Sequence, residues 1–189
     1  MRRSLMLATA AFSLLAAMPA RADDVSDAIA EAQRAYQGRE FTAARTALQE
    51  ALQLLAQRAA AELADALPAP LAGWTAEDPT SNAAAGAAMF GGATASRTYR
   101  NAEDQTVEIQ VMSDNPMIAQ LGVVLSNPML AGAMGRLVRI GEQRAIQGND
   151  GNVQMLVDNR ILVQVQGDAP PEAKLAYARA IDLGRLARR

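Results

Sequence analysis

Residues 153–166 read Val-Gln-Met-Leu-Val-Asp-Asn-Arg-Ile-Leu-Val-Gln-Val-Gln. Apolar side chains alternate with their neighbours on both sides of Asp158-Asn159, at positions 153, 155 and 157 and again at 161, 163 and 165. Because successive side chains of a strand point to opposite faces, this spacing places all six on one face. Asp and Asn favour the tight turn between the two runs. The stretch therefore predicts an antiparallel hairpin with one buried face.

The same period of two appears upstream. Val107, Ile109 and Val111 alternate with more polar residues, and Tyr99 precedes them across the polar turn 101–105. This pattern predicts a second hairpin.

Between the two hairpins, residues 137–147 predict one further strand that is irregular at Gly141. Asp150-Gly151 is a strong hairpin turn and joins that strand to residue 153 and beyond. Together the strands predict an antiparallel meander with one apolar face.

Helical segments surround these strands. Residues 114–117 and 126–129 both contain Asn-Pro-Met, in which Asn can cap and Pro suits the first helical turn, so each predicts a short helix. Residues 170–188 begin with Pro-Pro-Glu and carry apolar residues at helical spacing, which predicts one closing amphipathic helix. The predicted fold class is α+β: an N-terminal α-helical hairpin followed by an antiparallel β-sheet covered by helices.

Residues 23–67 predict the helical hairpin. Their composition of Ala, Leu, Gln, Glu and Arg is interrupted once, at Gly38, and Ser26 is the expected N-cap of the first helix. The second helix is expected from residue 40 or 41 to residue 66. The large apolar side chains at helical spacing form a stripe that we consider a candidate partner surface: Tyr36, Phe41, Leu48, Leu52 and Leu55.

This hairpin resembles the second half of a tetratricopeptide repeat. The resemblance covers about one repeat and is carried by Tyr36, Gly38, Phe41, Ala44, Leu48, Ala51 and Leu52. Such repeats normally bury their apolar faces on neighbouring repeats. The stripe is therefore expected either to pack on the rest of this chain or to bind another chain.

Residues 68–96 predict a Pro-, Gly- and Ala-rich linker and loop. Pro68 and Pro70 end the helical pattern, and Trp74, the only Trp, is expected to be a buried anchor. Residues 81–96 are expected to form a mobile loop. The sheet domain then spans 97–189, with an alternative beginning at 73.

From Gly73-Trp74 to residue 188, the order of elements resembles the α/β/α sandwich of the Mog1 and PsbP type. The hairpin, Pro-rich joint, Gly-Trp and twin Asn-Pro-Met also resemble an uncharacterised family of exported bacterial proteins. Neither resemblance implies an activity or transfers a functional residue to this chain.

Residues 1–22 predict a cleavable signal peptide. Arg2 and Arg3 precede an uncharged apolar run at 5–17, and Ala20 and Ala22 supply the small residues that signal peptidase requires. Cleavage after Ala22 predicts a periplasmic or secreted protein, by the Sec route ahead of the twin-arginine route. The run is too short for a transmembrane anchor, and a chain without Cys carries no thiol for a lipid anchor.

Composition excludes several chemistries. The chain has no Cys and no His, which removes Ser-His-Asp and Cys-His nucleophile systems and His-ligated zinc. Without residues 1–22 it carries 15 basic and 20 acidic residues, a net charge of −5, which is unsuited to nucleic acid. The methionines alternate with other apolar residues as core filler does, so we expect no metal and no cofactor.

A second candidate surface is the polar face of the sheet. Amides recur at the polar strand positions, and two Arg border them: Gln110, Gln154, Gln164, Gln166, Arg139 and Arg144. Amides both donate and accept hydrogen bonds, so such a face can bind a glycan or peptide. The alternative is an ordinary solvated sheet surface.

These observations predict a non-catalytic, soluble accessory protein that acts through protein–protein interaction in the cell envelope. One alternative is a module that binds a small polar ligand on the Gln-rich face. A second alternative is a carboxylate-dependent hydrolase, which requires two carboxylates about 5–10 Å apart in one cleft. No catalytic residue is predicted, because the Asp and Glu candidates lie in expected turns.

Overall fold

The computed structural model describes residues 23–82, 92–113, 118, 122 and 127–188. The predicted signal peptide with its cleavage residues Ala20 and Ala22, most of the predicted loop and the predicted helix at 114–117 lie outside this range. Within the described residues, no helix combines the length and the apolar character needed to cross a membrane.

The N-terminal hairpin is made of α1 (Asp24–Gln37) and α2 (Phe41–Ala64). The N-cap of α1 is Asp23 and not Ser26: its carboxylate accepts a hydrogen bond from the Val25 amide at 2.8 Å. The residues buried along the seam between the helices are nearly all small, which lets the backbones approach closely: Val25, Ala28, Ala32, Ala44, Ala47 and Ala51.

Within the described residues, eight strands form one antiparallel sheet. They are β1 (Trp74–Ala76), β2 (Thr80–Asn82), β3 (Ala93–Asn101), β4 (Thr106–Ser113), β5 (Arg136–Ile140), β6 (Gln143–Gln147), β7 (Val153–Val157) and β8 (Ile161–Gln166). Their order is β1-β3-β4-β8-β7-β6-β5, and β2 also pairs with β3. The chain therefore crosses after β4 to the far edge, and the meander β5–β8 returns until β8 pairs with β4.

Further helices follow β4 and β8: α3 (Pro128–Met134), α4 (Pro171–Ala180) and α5 (Leu183–Ala187). The Asn127 side chain accepts from the Met129 amide at 3.0 Å, so the helix predicted at the second Asn-Pro-Met is present with the expected cap. The single closing helix predicted for 170–188 is wrong, because extended Ile181 ends α4 and the Asp182 side chain caps α5.

The main core lies between one face of the sheet and the helices that cover it. Leu63 of α2, Tyr177 of α4 and Leu186 of α5 are almost fully buried there, together with the alternating apolar positions of the strands. This arrangement confirms the α+β prediction and the two hairpins read from residues 99–111 and 153–165.

Two sequence expectations for the sheet need correction. Residues 137–147 form two antiparallel strands, β5 and β6, which are joined at Gly141 with a φ of 57°. Residues 81–96 are not entirely loop, because Ser81 and Asn82 belong to β2 and β3 begins at Ala93. Short strands at 74–76 and 80–82 are too brief to show an alternating pattern.

Candidate functional site: an exposed apolar face on the hairpin

The two halves of α2 have different surroundings. Ala60 and Leu63, together with Ala66 just beyond the helix, are buried in the main core against the sheet. Phe41, Leu48, Leu52 and Leu55 are exposed. A helix of 24 residues is about 36 Å long, so its first half extends along α1 while its second half covers the sheet.

The exposed apolar residues of α2 lie on one line. At an advance of about 100° per residue, Phe41, Leu48, Leu52 and Leu55 fall within an arc of about 60°. Leu63, which is fully buried against the sheet, lies close to the same arc. The face of α2 that packs on the sheet at its C-terminal end is therefore the face that is uncovered at its N-terminal end.

Helix α1 adds to the same surface. Tyr36 contacts Phe41 edge to face, with ring centroids 6.0 Å apart, and Ile29 lies two turns before Tyr36 on α1. These six side chains, each with 47–66% of its surface exposed, are called the hairpin face: Ile29, Tyr36, Phe41, Leu48, Leu52 and Leu55.

The large side chains of the hairpin face remain exposed because Ala residues make the contact between α1 and α2. Ala44, Ala47 and Ala51 lie on a neighbouring side of α2 and are buried. A larger side chain at these positions would separate the two helices. The five stripe residues predicted from the sequence are thus all at the surface, while the intramolecular packing of the hairpin uses the small residues between them.

The long sides of the hairpin face carry little charge, whereas Arg39 and Glu40 lie beside Phe41 at its closed end. Helical position identifies its neighbours toward solvent, which are one cation, two amides and a small apolar residue: Arg45, Gln33, Gln49 and Ala56. The acidic residues of the middle of the hairpin lie on other sides of the two helices: Asp27, Glu31 and Glu50. Cores of protein interfaces are likewise depleted of charge and rich in aromatic and large apolar residues. The composition of the hairpin face is typical of such a core.

An ion pair fixes the open end of the hairpin. The Asp23 carboxylate accepts from the Arg58 guanidinium at 2.6 Å and from the Val25 amide at 2.8 Å. The hydrogen bond from Arg58 is the main reason that the pKa of Asp23 is lowered, and the Val25 amide lowers it further. The same side chain therefore caps α1 and ties it to α2.

The predicted polar face has a definite register. Gln110, Gln164 and Gln154 are direct neighbours on β4, β8 and β7, and Gln166 donates to Glu108 at 2.9 Å. We call the first three the amide row.

The two Arg residues lie two to four strands away from most of the amides. Arg139 and Arg144 oppose each other on β5 and β6, on the same face by strand alternation. The structure thus places all six predicted residues on one face but does not bring both Arg to the amide row.

A second apolar cluster, which the sequence analysis missed, lies beside the amide row. Leu156 and Leu162 pair on β7 and β8, Met112 is the neighbour of Leu162 on β4, and Ile118 packs over them. The sequence does indicate this cluster, because Leu156 and Leu162 are apolar at strand positions where the alternation predicts polar residues. This face of the sheet is consequently only partly polar.

Shallow clefts adjoin the sheet among the described residues, and we consider two of them. One, of about 400 Å³, lies beside the amide row and is lined by Met134, Ile146, Gly148, Asn149, Asp150, Asn152 and Gln154. The other, of about 370 Å³, lies where α2, α5 and the ends of β4 and β8 meet, and is lined by Ala59, Glu62, Ser113, Asp158, Arg160, Ile161, Leu186 and Arg188. The second holds two carboxylates but also two guanidinium groups, so its charge is mixed.

Lys174, the single Lys of the chain, was assigned no role from the sequence. Its side chain is buried, and Nζ donates to the Asp150 carbonyl at 2.6 Å, to Asn152 Oδ1 at 3.0 Å and to the Gly167 carbonyl at 3.0 Å. It therefore joins α4 to the β6–β7 turn and to the end of β8. All three ammonium protons have partners, which indicates a structural role.

Over the described part of the chain, no group of three or more acidic side chains is placed to hold a metal ion. The chain matches no protein-family model, no curated protein and no solved structure in the comparisons made. The resemblances to the Mog1 and PsbP sandwich and to an exported bacterial family remain predictions from the sequence.

Proposed function

We propose that this chain is a non-catalytic accessory protein of the cell envelope that acts by binding another protein through the hairpin face. The supporting observation is the uncovered continuation of the α2 face beyond the sheet. Leu63 is buried on that face, whereas Leu48, Leu52 and Leu55 are not. Large contiguous apolar patches on soluble proteins mark interaction sites.

The shape of the surface suggests the chemistry of the partner. Tyr36 and Phe41 lie together at the closed end of the hairpin face, and Ile29 and Leu52 are exposed further along the two antiparallel helices. An amphipathic helix with apolar residues at every third or fourth position can pack against such an elongated apolar face. The nearly neutral border favours a partner whose contacting face is apolar and uncharged.

The proposed location follows from residues 1–22, whose n-region, apolar run and Ala20-Arg21-Ala22 are typical of an export signal. Removal after Ala22 would leave Asp23 as the first residue, and Asp23 is the N-cap of α1. The exported chain would thus begin directly at the folded hairpin.

Crosslinking in the producing cell tests the proposed function. A photoreactive amino acid replaces Leu52, and a matched control carries it at Gln53, the next exposed residue on another side of α2. We expect Leu52 to give one reproducible crosslink to another envelope protein, with the attachment site in an apolar helical segment. The crosslink should disappear when Leu48→Gln and Leu55→Gln are added.

Two outcomes would contradict the proposed function. One is a Leu52 probe that crosslinks to no other protein, or only to a second copy of this chain. The other is equal labelling from the Gln53 probe, which would mean that the contact does not involve the hairpin face.

Binding of a small polar ligand is the second candidate. It is favoured by the in-register amide row and by the adjoining cleft of about 400 Å³, to which Gln154 belongs. A glycan or peptide that binds only the folded chain raises its melting temperature, so a thermal-shift series with Gln154→Ala and the distant control Gln53→Ala tests this. A shift that Gln154→Ala leaves unchanged would place the ligand elsewhere.

A further inference from the structure

We infer that two copies of this chain pair through their hairpin faces, and that the proposed partner must displace the second copy. The inference rests on the proposed function of the hairpin face as a protein-binding surface. It states that a second copy of the chain covers this surface when the partner is absent. Three observations carry it: the size of the face, its charge and the spacing of its residues.

The size is sufficient for a dimer. Two aromatic and four aliphatic side chains that are about half exposed present on the order of 600 Å² of apolar surface. Pairing two such faces buries on the order of 1,200 Å², which is the lower end of the range for specific, stable interfaces. The size of the interface is therefore compatible with a dimer, and a partner that covers the same face can displace the second copy if it binds more tightly.

The charge of the face is compatible with self-pairing. In a two-fold interface each residue meets the same surface of the partner copy, so charged groups of one sign would repel each other. Of the four residues that flank the hairpin face toward solvent, Arg45 is charged, and the others are Gln33, Gln49 and Ala56. The amides of two copies can donate to and accept from one another.

The residue spacing suits helix-on-helix packing. Phe41, Leu48 and Leu55 are separated by seven residues each, and Leu52 falls between the last two. Over Leu48, Leu52 and Leu55 this spacing matches the knobs-into-holes packing of helices that cross at about 20°, and Arg45 lies at the position seven residues before Leu52. Two hairpins joined in this way form a four-helix bundle, with the small-residue seam of each hairpin already in place.

Self-pairing has a functional consequence. The second copy and the proposed partner cover the same side chains, so they cannot bind together. Dilution of the protein then exposes the hairpin face, an abundant partner displaces the second copy from it, and accumulation of unbound protein covers it with a second copy. Availability of the surface is thereby regulated by concentration.

Sedimentation of the purified exported protein tests the inference. We expect a dimer in the micromolar range, and Leu52→Glu to raise the dimer dissociation constant by at least ~100-fold because the charge enters the interface twice. The matched control Gln53→Glu adds the same charge one residue away and should change the constant less than about three-fold. Both variants should keep the unfolding midpoint of the isolated monomer.

Because the chain has no Cys, single substitutions provide a second readout. Four single variants are oxidised separately: Phe41→Cys, Leu48→Cys, Leu52→Cys and Leu55→Cys. A disulfide requires the two Cβ atoms to lie about 4 Å apart, so the variant nearest the two-fold axis should form a disulfide-linked dimer. Glu50→Cys, on another side of α2, should not.

The inference is overturned if the protein remains monomeric up to millimolar concentration. It is equally overturned if Gln53→Glu dissociates the dimer as well as Leu52→Glu does, or if none of the four Cys variants crosslinks within an existing dimer. A monomer that still crosslinks to an envelope protein through Leu52 would leave the proposed function intact. A dimer without such a crosslink would remove the proposed function alone.

Discussion

The rings of Tyr99 on β3 and Tyr177 on α4 lie 4.3 Å apart in the core, measured between ring centroids. Their hydroxyl groups hold the Pro-rich joint between hairpin and sheet: Tyr99 donates to the Pro68 carbonyl at 2.8 Å, and the Leu71 amide donates to the Tyr177 oxygen at 3.2 Å. Trp74, which is half-buried, packs edge to face on Tyr177 at 5.3 Å. The joint is therefore fixed to the sheet. It holds the C-terminal end of α2, and the hairpin face lies toward the other end of this helix.

The first prediction concerns alkaline pH. Burial raises the pKa of Tyr99 to about 12, against an ordinary value near 10, and burial also raises that of Tyr177. The unfolded chain loses these protons first, so folding stability should be constant below about pH 10 and fall as the pH rises toward about 12. Urea unfolding at several pH values, with tyrosinate absorbance as a second signal, measures this.

Tyr99→Phe is the informative variant for this prediction. It removes the titrating group and should flatten the decline above about pH 10, while Tyr36→Phe on the exposed hairpin face should leave it unchanged. Ionisation of Tyr99 near its ordinary pKa in the folded protein would show that the ring is solvated and that the joint is loose.

The second prediction concerns Lys174. Replacement by Met removes the buried ammonium and leaves the Asp150 carbonyl, the Gly167 carbonyl and Asn152 Oδ1 without this donor at a part-buried place. Each buried polar group without a partner costs about 1–3 kcal/mol. We expect the free energy of unfolding to fall by about 1–3 kcal/mol, as measured with urea.

Arg179→Ala is the matched control for Lys174→Met, because Arg179 is an exposed basic residue on the same helix. Its replacement should change the free energy of unfolding by less than about 0.5 kcal/mol. A similarly small loss in Lys174→Met would mean that water replaces the three hydrogen bonds.

The sheet was predictable because its main strands alternate regularly. Val107, Ile109 and Val111 face the core as their spacing requires, and so do Val153 and Val163. The turn at Gly141 was predicted only as an irregularity within one strand, because just two residues, Gly141 and Glu142, separate β5 from β6. The break at Ile181 was missed since an extended apolar residue leaves no mark in a helical pattern.

The hairpin face was only partly predictable. Helical spacing identified its residues on α2, but spacing alone does not distinguish Leu48 and Leu52 from Ala47 and Ala51, which lie on an adjacent side. Which side is buried depends on how closely α1 approaches, and this is a property of the tertiary contact. The role of Lys174 was unpredictable for the same reason, because its three acceptors are 7 to 24 residues away in sequence.

The third prediction concerns Gly167, at the bend that follows β8. Its φ of 134° disfavours other residues, and a Cβ there would collide with the Thr106 carbonyl oxygen. Gly167→Ala should lower the free energy of unfolding by about 2 kcal/mol or more, since it combines backbone strain with a steric clash. Gly132→Ala, in α3 with open space around it, should stabilise or be neutral. Equal effects of the two substitutions would contradict this assignment.

The fourth prediction concerns acid. Asp168 accepts from the Thr106 hydroxyl at 2.6 Å and from the Thr106 amide at 2.5 Å, and these two bonds lower its pKa, the hydroxyl contributing most. The stabilisation is present above the ordinary pKa of about 4 and should be lost as the pH falls through the lowered value of the folded state. Asp168→Asn, which does not titrate, should therefore lose less stability than the parent between about pH 5 and pH 2. Parallel acid curves for the two proteins would exclude Asp168 as a contributor.

The last prediction separates the two sides of α2. Ala47 is buried at the seam with α1, whereas Leu52 has 65% of its surface exposed. Ala47→Leu should overpack the seam and lower the free energy of unfolding by about 1–3 kcal/mol. Leu52→Gln should change it by less than about 0.5 kcal/mol, because little apolar contact is lost within the monomer. Both are measured on protein diluted below the expected dimer range. If Leu52→Gln unfolded the monomer while Ala47→Leu did not, the leucines would belong to the core and the hairpin would have no free surface for a partner.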